Sequence, residues 1–152
     1  MSVAFRRESD DEHLEPKFER PIPPGPNLVT ANGLMALERE VARLDRMIGE
    51  AADDEARTAL RRDQRYWRYR LSTAELAPPA PEGEAGIGSH VRLMLDGAER
   101  AVTLVGSDEA DGRLKIAFTA PLARALMGAM EGDRLAFAGR AGAIEVLAVE
   151  RS

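Results

Sequence analysis

The chain has no cysteine in its 152 residues. A disulfide scaffold and a thiolate metal site are therefore excluded, and a reducing cytoplasm is the compartment that fits. Aromatic residues are only 5% of the chain, and alanine inflates the 44% hydrophobic content, so no large core can form. No apolar run approaches the ~18 residues of a membrane span, which argues against a membrane partner. The N-terminus leads from Arg6-Arg7 into acids rather than a hydrophobic stretch, so no secretion signal is expected. Net charge is −5 and the pI about 5.2, which argues against wrapping duplex DNA through bulk charge. Gly-x-Ser-x-Gly and phosphate-cradling glycine loops are absent. Gly139-Arg140-Ala141-Gly142 lacks the lysine and helix of a phosphate loop and reads as a hairpin turn. The two histidines, His13 and His90, have no partners at metal-binding spacing and read as solvated side chains.

What is present begins with a heptad seam. Leu34, Leu37, Val41, Leu44 and Ile48 are spaced three, four, three, four. The pattern resumes at Leu60, Gln64, Trp67, Leu71 and Ala74, after the acidic interruption Ala51-Ala52-Asp53-Asp54-Glu55. Two such helices with a short connection fold back as an antiparallel hairpin. A turn near Ala52 pairs Leu44 with Leu60, Val41 with Gln64, Leu37 with Trp67 and Leu34 with Leu71. Thr30 is the expected N-cap of the first helix and Asp53 of the second. The rod is then roughly 30 Å long with three carboxylates at its tip.

Around this hairpin, residues 1–29 read as a disordered leader, first acidic (Glu8-Ser9-Asp10-Asp11-Glu12) and then proline-rich (Pro21, Pro23, Pro24, Pro26). Residues 78–88, with three prolines and three glycines, read as a linker. From Ser89 the hydrophobic period becomes two. Strands are expected at 91–95 and 98–105 about an Asp96-Gly97 turn, then at 114–118, 134–137 and 144–149. A short helix is expected from Pro121 to Gly128. The predicted fold class is α+β: a helical hairpin at 30–77 and, at 89–152, a small antiparallel sheet with one helix.

Two clusters invite a functional reading. Asp53, Asp54 and Glu55 are explained as helix-capping acids, and they could also present hard oxygen ligands to Mg²⁺. Arg61, Arg65 and Arg68 share a face of the second helix; they read either as contacts to RNA phosphates or an acidic protein surface, or as a solvated face paired with Glu38, Asp45 and Asp63.

Longer motifs carry a family resemblance. Residues 103–111, Thr-Leu-Val-Gly-Ser-Asp-Glu-Ala-Asp, resemble the Ile-Val-Gly-x-Asp-Glu-Ala-Asp stretch of the bacterial Gre transcription elongation factors. Residues 120–133 resemble that family's Ser-Pro-Leu-x-x-Ala-Leu-x-Gly-x-x-x-Gly-Asp stretch, and Val29 to Leu37 echo its Ile-Thr-x-x-Gly-x-x-x-Leu start. The opening residues look like the GreB-type branch. The resemblance implies an FKBP-like second domain that docks at the rim of RNA polymerase's secondary channel, through Asp108, Glu109, Asp111 and Pro121. It implies a hairpin that enters the channel, where an acidic tip helps the polymerase hold its second Mg²⁺ for RNA cleavage. This chain departs at that tip. It has no asparagine after Asn32, so the Gly-Asp-x-x-Glu-Asn-x-x-Tyr motif is missing, and its hairpin is shorter by a turn or two per helix. The expectation is a monomeric, cytoplasmic, non-enzymatic regulator that binds core polymerase and contacts nascent RNA through the arginine face. It carries no cofactor of its own beyond an Mg²⁺ shared with the polymerase. A short-hairpin relative, like the regulator-of-nucleoside-diphosphate-kinase branch, or an anti-cleavage homologue is the better parallel. The alternatives are an active cleavage factor using Asp53, Asp54 and Glu55, a peptidyl-prolyl isomerase, and a plain coiled-coil adaptor.

Overall fold

The computed structural model describes residues 20–151; the acidic part of the expected leader, residues 1–19, lies outside the described residues. In chain order the elements are β1 (Leu28–Val29), α1 (Ala31–Glu50), α2 (Asp54–Thr73), β2 (Glu75–Leu76), β3 (Ser89–Leu95), β4 (Ala98–Val105), β5 (Lys115–Ala117), α3 (Pro121–Leu126), β6 (Arg134–Phe137) and β7 (Arg140–Arg151).

The expected hairpin forms. Thr30 caps α1, its Oγ1 accepting from the Gly33 amide at 2.9 Å, and Asp53 caps α2, its Oδ1 accepting from the Ala56 amide at 2.7 Å. Each helix is 20 residues, close to 30 Å long. Leu37 and Leu44 are buried in the seam, while Leu60, Gln64, Trp67 and Leu71 are half-buried. Asp45 ties the helices together by accepting from Gln64 at 2.7 Å and from Arg68 at 3.0 Å.

The end of the leader is not disordered. Residues 27–29 are tied down by main-chain bonds, because α2 stops at Thr73 and leaves the next residues extended beside them. Glu75 donates to the Asn27 carbonyl and Ala77 to the Val29 carbonyl, each at 2.9 Å, and β1 and β2 pair in parallel. Nor is 78–88 a free linker. Ala85 is buried in the second core and exchanges main-chain bonds with Ala129 and Gly128, and Gly88 donates to the Leu104 carbonyl at 2.6 Å.

The second domain is a five-stranded sheet in the order β5-β4-β3-β7-β6. It is mixed rather than antiparallel: β5 runs parallel to β4, with Thr103 opposite Lys115. The loop after β4 doubles back along that strand before β5 begins, which reverses the direction a hairpin would impose. One sheet face packs Val91, Leu93, Val102, Leu104, Ile144 and Val146 against α3. The Asp96-Gly97 turn forms, both residues at positive φ (52° and 81°) as a two-residue hairpin requires. The last turn sits at Ala138-Gly139 (53° and 77°) instead of Gly139–Gly142, and β7 starts at Arg140. Arg140 reaches Asp96, linking the two turns.

Candidate functional site

At the hairpin's free end Asp53, Asp54 and Glu55 are all exposed. The structure gives two of the three carboxylates local tasks. Asp53 caps α2, and Asp54 pairs with Arg57 at 2.7 Å while Arg57 also donates to the Ala51 carbonyl at 3.0 Å. Acids in a first turn complement the helix dipole, so the cluster is a stable tip as it stands. No group of three or more metal-ligating side chains gathers anywhere among the described residues. The donor set does not fit an ion held by this chain alone.

Along the shaft the arginine face divides. Arg68 is engaged with Asp45, and Arg43 with Glu40, whose carboxyl is held below its ordinary range chiefly by that bond. Arg61 and Arg65 are exposed and carry no ion pair among the described residues.

The acidic loop behaves differently from expectation. Asp108, expected at a polymerase-docking surface, points inward: its side chain is 8% exposed and that of Arg70 3%. Tyr66 Oη donates to Asp108 Oδ1 at 2.5 Å and Arg70 Nε to Oδ2 at 2.5 Å. Arg70 Nη2 also donates to Asn27 Oδ1 at 2.8 Å, and Asn27 Nδ2 returns a bond to the Arg70 carbonyl at 2.7 Å. Burial, then the bond to Asp108, pushes the Tyr66 phenol up to about 12. Glu109, likewise expected to dock outward, accepts from Thr30 Oγ1 at 2.6 Å. Asp111 is exposed but spends Oδ1 on the Arg113 and Lys115 amides at 2.7 and 2.9 Å, bonds that hold its carboxyl below the usual range. Pro121 opens α3 and is exposed beside Arg124 and Phe137. Asp108 and Glu109 thus face a polar clasp at the base of the hairpin, and the deeply buried Asp108 carboxylate has the charged partner it needs in Arg70.

Tyr66, Asn27 and Arg70 had no place in the sequence reading of the site. Their signal was Tyr66, Arg70 and Thr73 at helical spacing beside the heptad seam, a second face of α2 with its own partner. Trp67 packs edge-on to Tyr66, centroids 5.0 Å apart, and lines a pocket of about 340 Å³ with Val29, Leu37 and the acids Glu40, Asp108 and Glu109. The Arg20 guanidinium lies 4.2 Å from the Tyr66 ring centre and 4.9 Å from that of Trp67.

Fold and site define a class: a rigid helical prong, acid at its tip, mounted on a small mixed-sheet anchor. Residues 80–151 match the family described as transcription elongation factor, GreA/GreB, C-terminal. The match spans the second domain and stops short of the hairpin. Among solved structures the chain is similar to GreA factor homolog 1 (Gfh1) of Thermus thermophilus, at 23% identity over 83% of this chain and 99% of that one, with a TM-score of 0.38. Thermus aquaticus Gfh1 matches at 24% identity, 82% and 98% coverage and a TM-score of 0.40. A GreA/GreB factor from Nitrosomonas europaea matches at 21% identity, 84% and 99% coverage and a TM-score of 0.40. No curated protein matches the chain. No helix among the described residues is long and apolar enough to cross a membrane.

Proposed function

We propose that this chain is a non-enzymatic elongation regulator that binds RNA polymerase through residues 80–151 and directs its hairpin into the secondary channel. There it occupies the channel without supplying the cleavage chemistry of a Gly-Asp-x-x-Glu-Asn-x-x-Tyr tip. The observation that carries the reading is the joining of a GreA/GreB-type domain to a clasped prong whose far end offers only Asp53, Asp54 and Glu55, two of them already engaged. Docking then falls to the outer surface of the sheet domain, with exposed Pro121 and Asp111 as the remaining candidates of the four. Arg61 and Arg65 face outward along the shaft, suited to nascent RNA or an acidic channel wall.

Pull-down with core polymerase, followed by competition with a transcript-cleavage factor, tests this. Binding and mutual displacement are expected, with no shortening of RNA in a halted, backtracked complex. Failure to bind at micromolar concentration ends the reading. Exposure of the Asp54 and Glu55 carboxylates favours one rival, an active cleavage factor. Transcript shortening that disappears with Asp53→Ala, Asp54→Ala and Glu55→Ala combined would establish that rival instead.

A further inference from the structure

Two adjacent carboxylates of one loop each hold one helix of the hairpin. Asp108 takes two donors from α2, one turn apart, at Tyr66 and Arg70. Glu109 takes the Thr30 hydroxyl at the start of α1. Three attachment points that are not in line fix the direction of a rigid body, whereas one would leave it free to swivel. We infer that the Asp108-Glu109 pair is the mount that sets the angle at which the prong leaves the sheet domain, and that these are positioning residues rather than contacts to a partner.

Close backbone approach supports the same joint. A Cβ on Gly106, two residues before Asp108, would lie 2.5 Å from the Leu28 carbonyl oxygen, and one on Gly33 would lie 2.7 Å from Glu109 Oε1. The loop therefore presses on the β1 backbone without room for a side chain at Gly106, and its Glu109 carboxylate lies close over the first turn of α1 at Gly33. Asp111, by bonding the Arg113 and Lys115 amides, keeps the loop itself folded. Leverage makes the mount matter. With a prong of ~30 Å, a rotation of about 10° at the joint moves the tip by about 5 Å. A tip displaced that far no longer meets a target defined by hydrogen-bond distances.

This inference rests on the proposed function only for its consequence at the polymerase; the angle itself is measurable on the free chain. The absence of native cysteine allows clean spin labels at Glu55→Cys on the tip and Arg100→Cys on the sheet domain. Pulsed electron resonance between them should give one narrow distance distribution in the parent chain. Asp108→Asn should broaden it about twofold or more, as a hinge freed of its packed contacts does. Tyr66→Phe and Thr30→Val each remove one attachment and should broaden it less, which keeps the test open if Asp108→Asn does not fold by circular dichroism. A distribution of unchanged width in the folded variants overturns the mount. If the parent also binds polymerase, the broadened variants should bind with the same affinity yet give a lower yield of crosslinks from the tip to the channel walls. A parent that does not bind ends the functional reading, and the distance result still decides on the mount.

Discussion

Asp108→Asn is the substitution whose cost follows most directly from the geometry. It leaves the shape of the side chain intact and removes its charge. Arg70, with 3% of its side chain exposed, then keeps a full positive charge with no counter-charge beside it. Breaking a buried pair from one side typically costs ~3–5 kcal/mol, because the stranded charge has lost water without gaining a partner. For a chain of this size that corresponds to a fall in Tm of about 10 °C or more. Arg70→Met should cost a similar amount by stranding the Asp108 carboxylate against the Tyr66 hydroxyl alone. The double variant should cost clearly less than the sum, with a coupling of ~1–3 kcal/mol, since a neutral Asn-Met pair leaves no charge stranded in the buried site. Urea unfolding followed by fluorescence of Trp67, the single tryptophan and the neighbour of Tyr66, reads the clasp directly. Circular dichroism on the same samples checks that the transition is cooperative. Single variants that each lose less than ~1 kcal/mol, or a fully additive double variant, would refute the reasoning.

Gly106→Ala places a Cβ 2.5 Å from the Leu28 carbonyl oxygen, a backbone atom that cannot turn aside, and should cost ~1–3 kcal/mol in the same assay. Leu44→Ala empties a site that is 1% exposed in the hairpin seam and should lose ~2–5 kcal/mol. Asp53→Ala removes the bond to the Ala56 amide and should cost ~1 kcal/mol, seen as a lower melting temperature by circular dichroism. Tyr66 has a folded pKa raised from 10.0 to about 12, so its contribution is fully present below pH 10 and is lost as pH rises towards 12. Stability should fall over that window, and tyrosinate absorbance should show a late phase that Tyr66→Phe removes.

Periodicity and caps made the hairpin legible: the heptad spacing of Leu37 and Leu44, with Thr30 and Asp53 at the N-caps, places both helices within a few residues of their observed bounds. The Asp96-Gly97 turn was legible for the same local reason, since few residue pairs accept two positive φ angles in succession. The parallel pairing of β5 was not, because direction depends on where a nine-residue loop returns and not on alternation within the strand. Nor was the clasp. Asp108 and Glu109 read as outward docking residues because nothing local marks their partners, which lie 38 and 79 residues away at Arg70 and Thr30. The short Leu28–Val29 strand escaped notice under the prolines that precede it, since a two-residue ladder has no period to detect. At the tip, the sequence shows three acids and no asparagine after Asn32.

The central claim is that a clasped prong is carried into the polymerase by its sheet domain. A cysteine-specific photocrosslinker on Glu55→Cys, in a chain with no other cysteine, measures it directly. In complex with core polymerase the account predicts crosslinks from the tip to the walls of the secondary channel, lost when a cleavage factor is added. Tip crosslinks that are absent, or that survive an excess of the competitor, would contradict it.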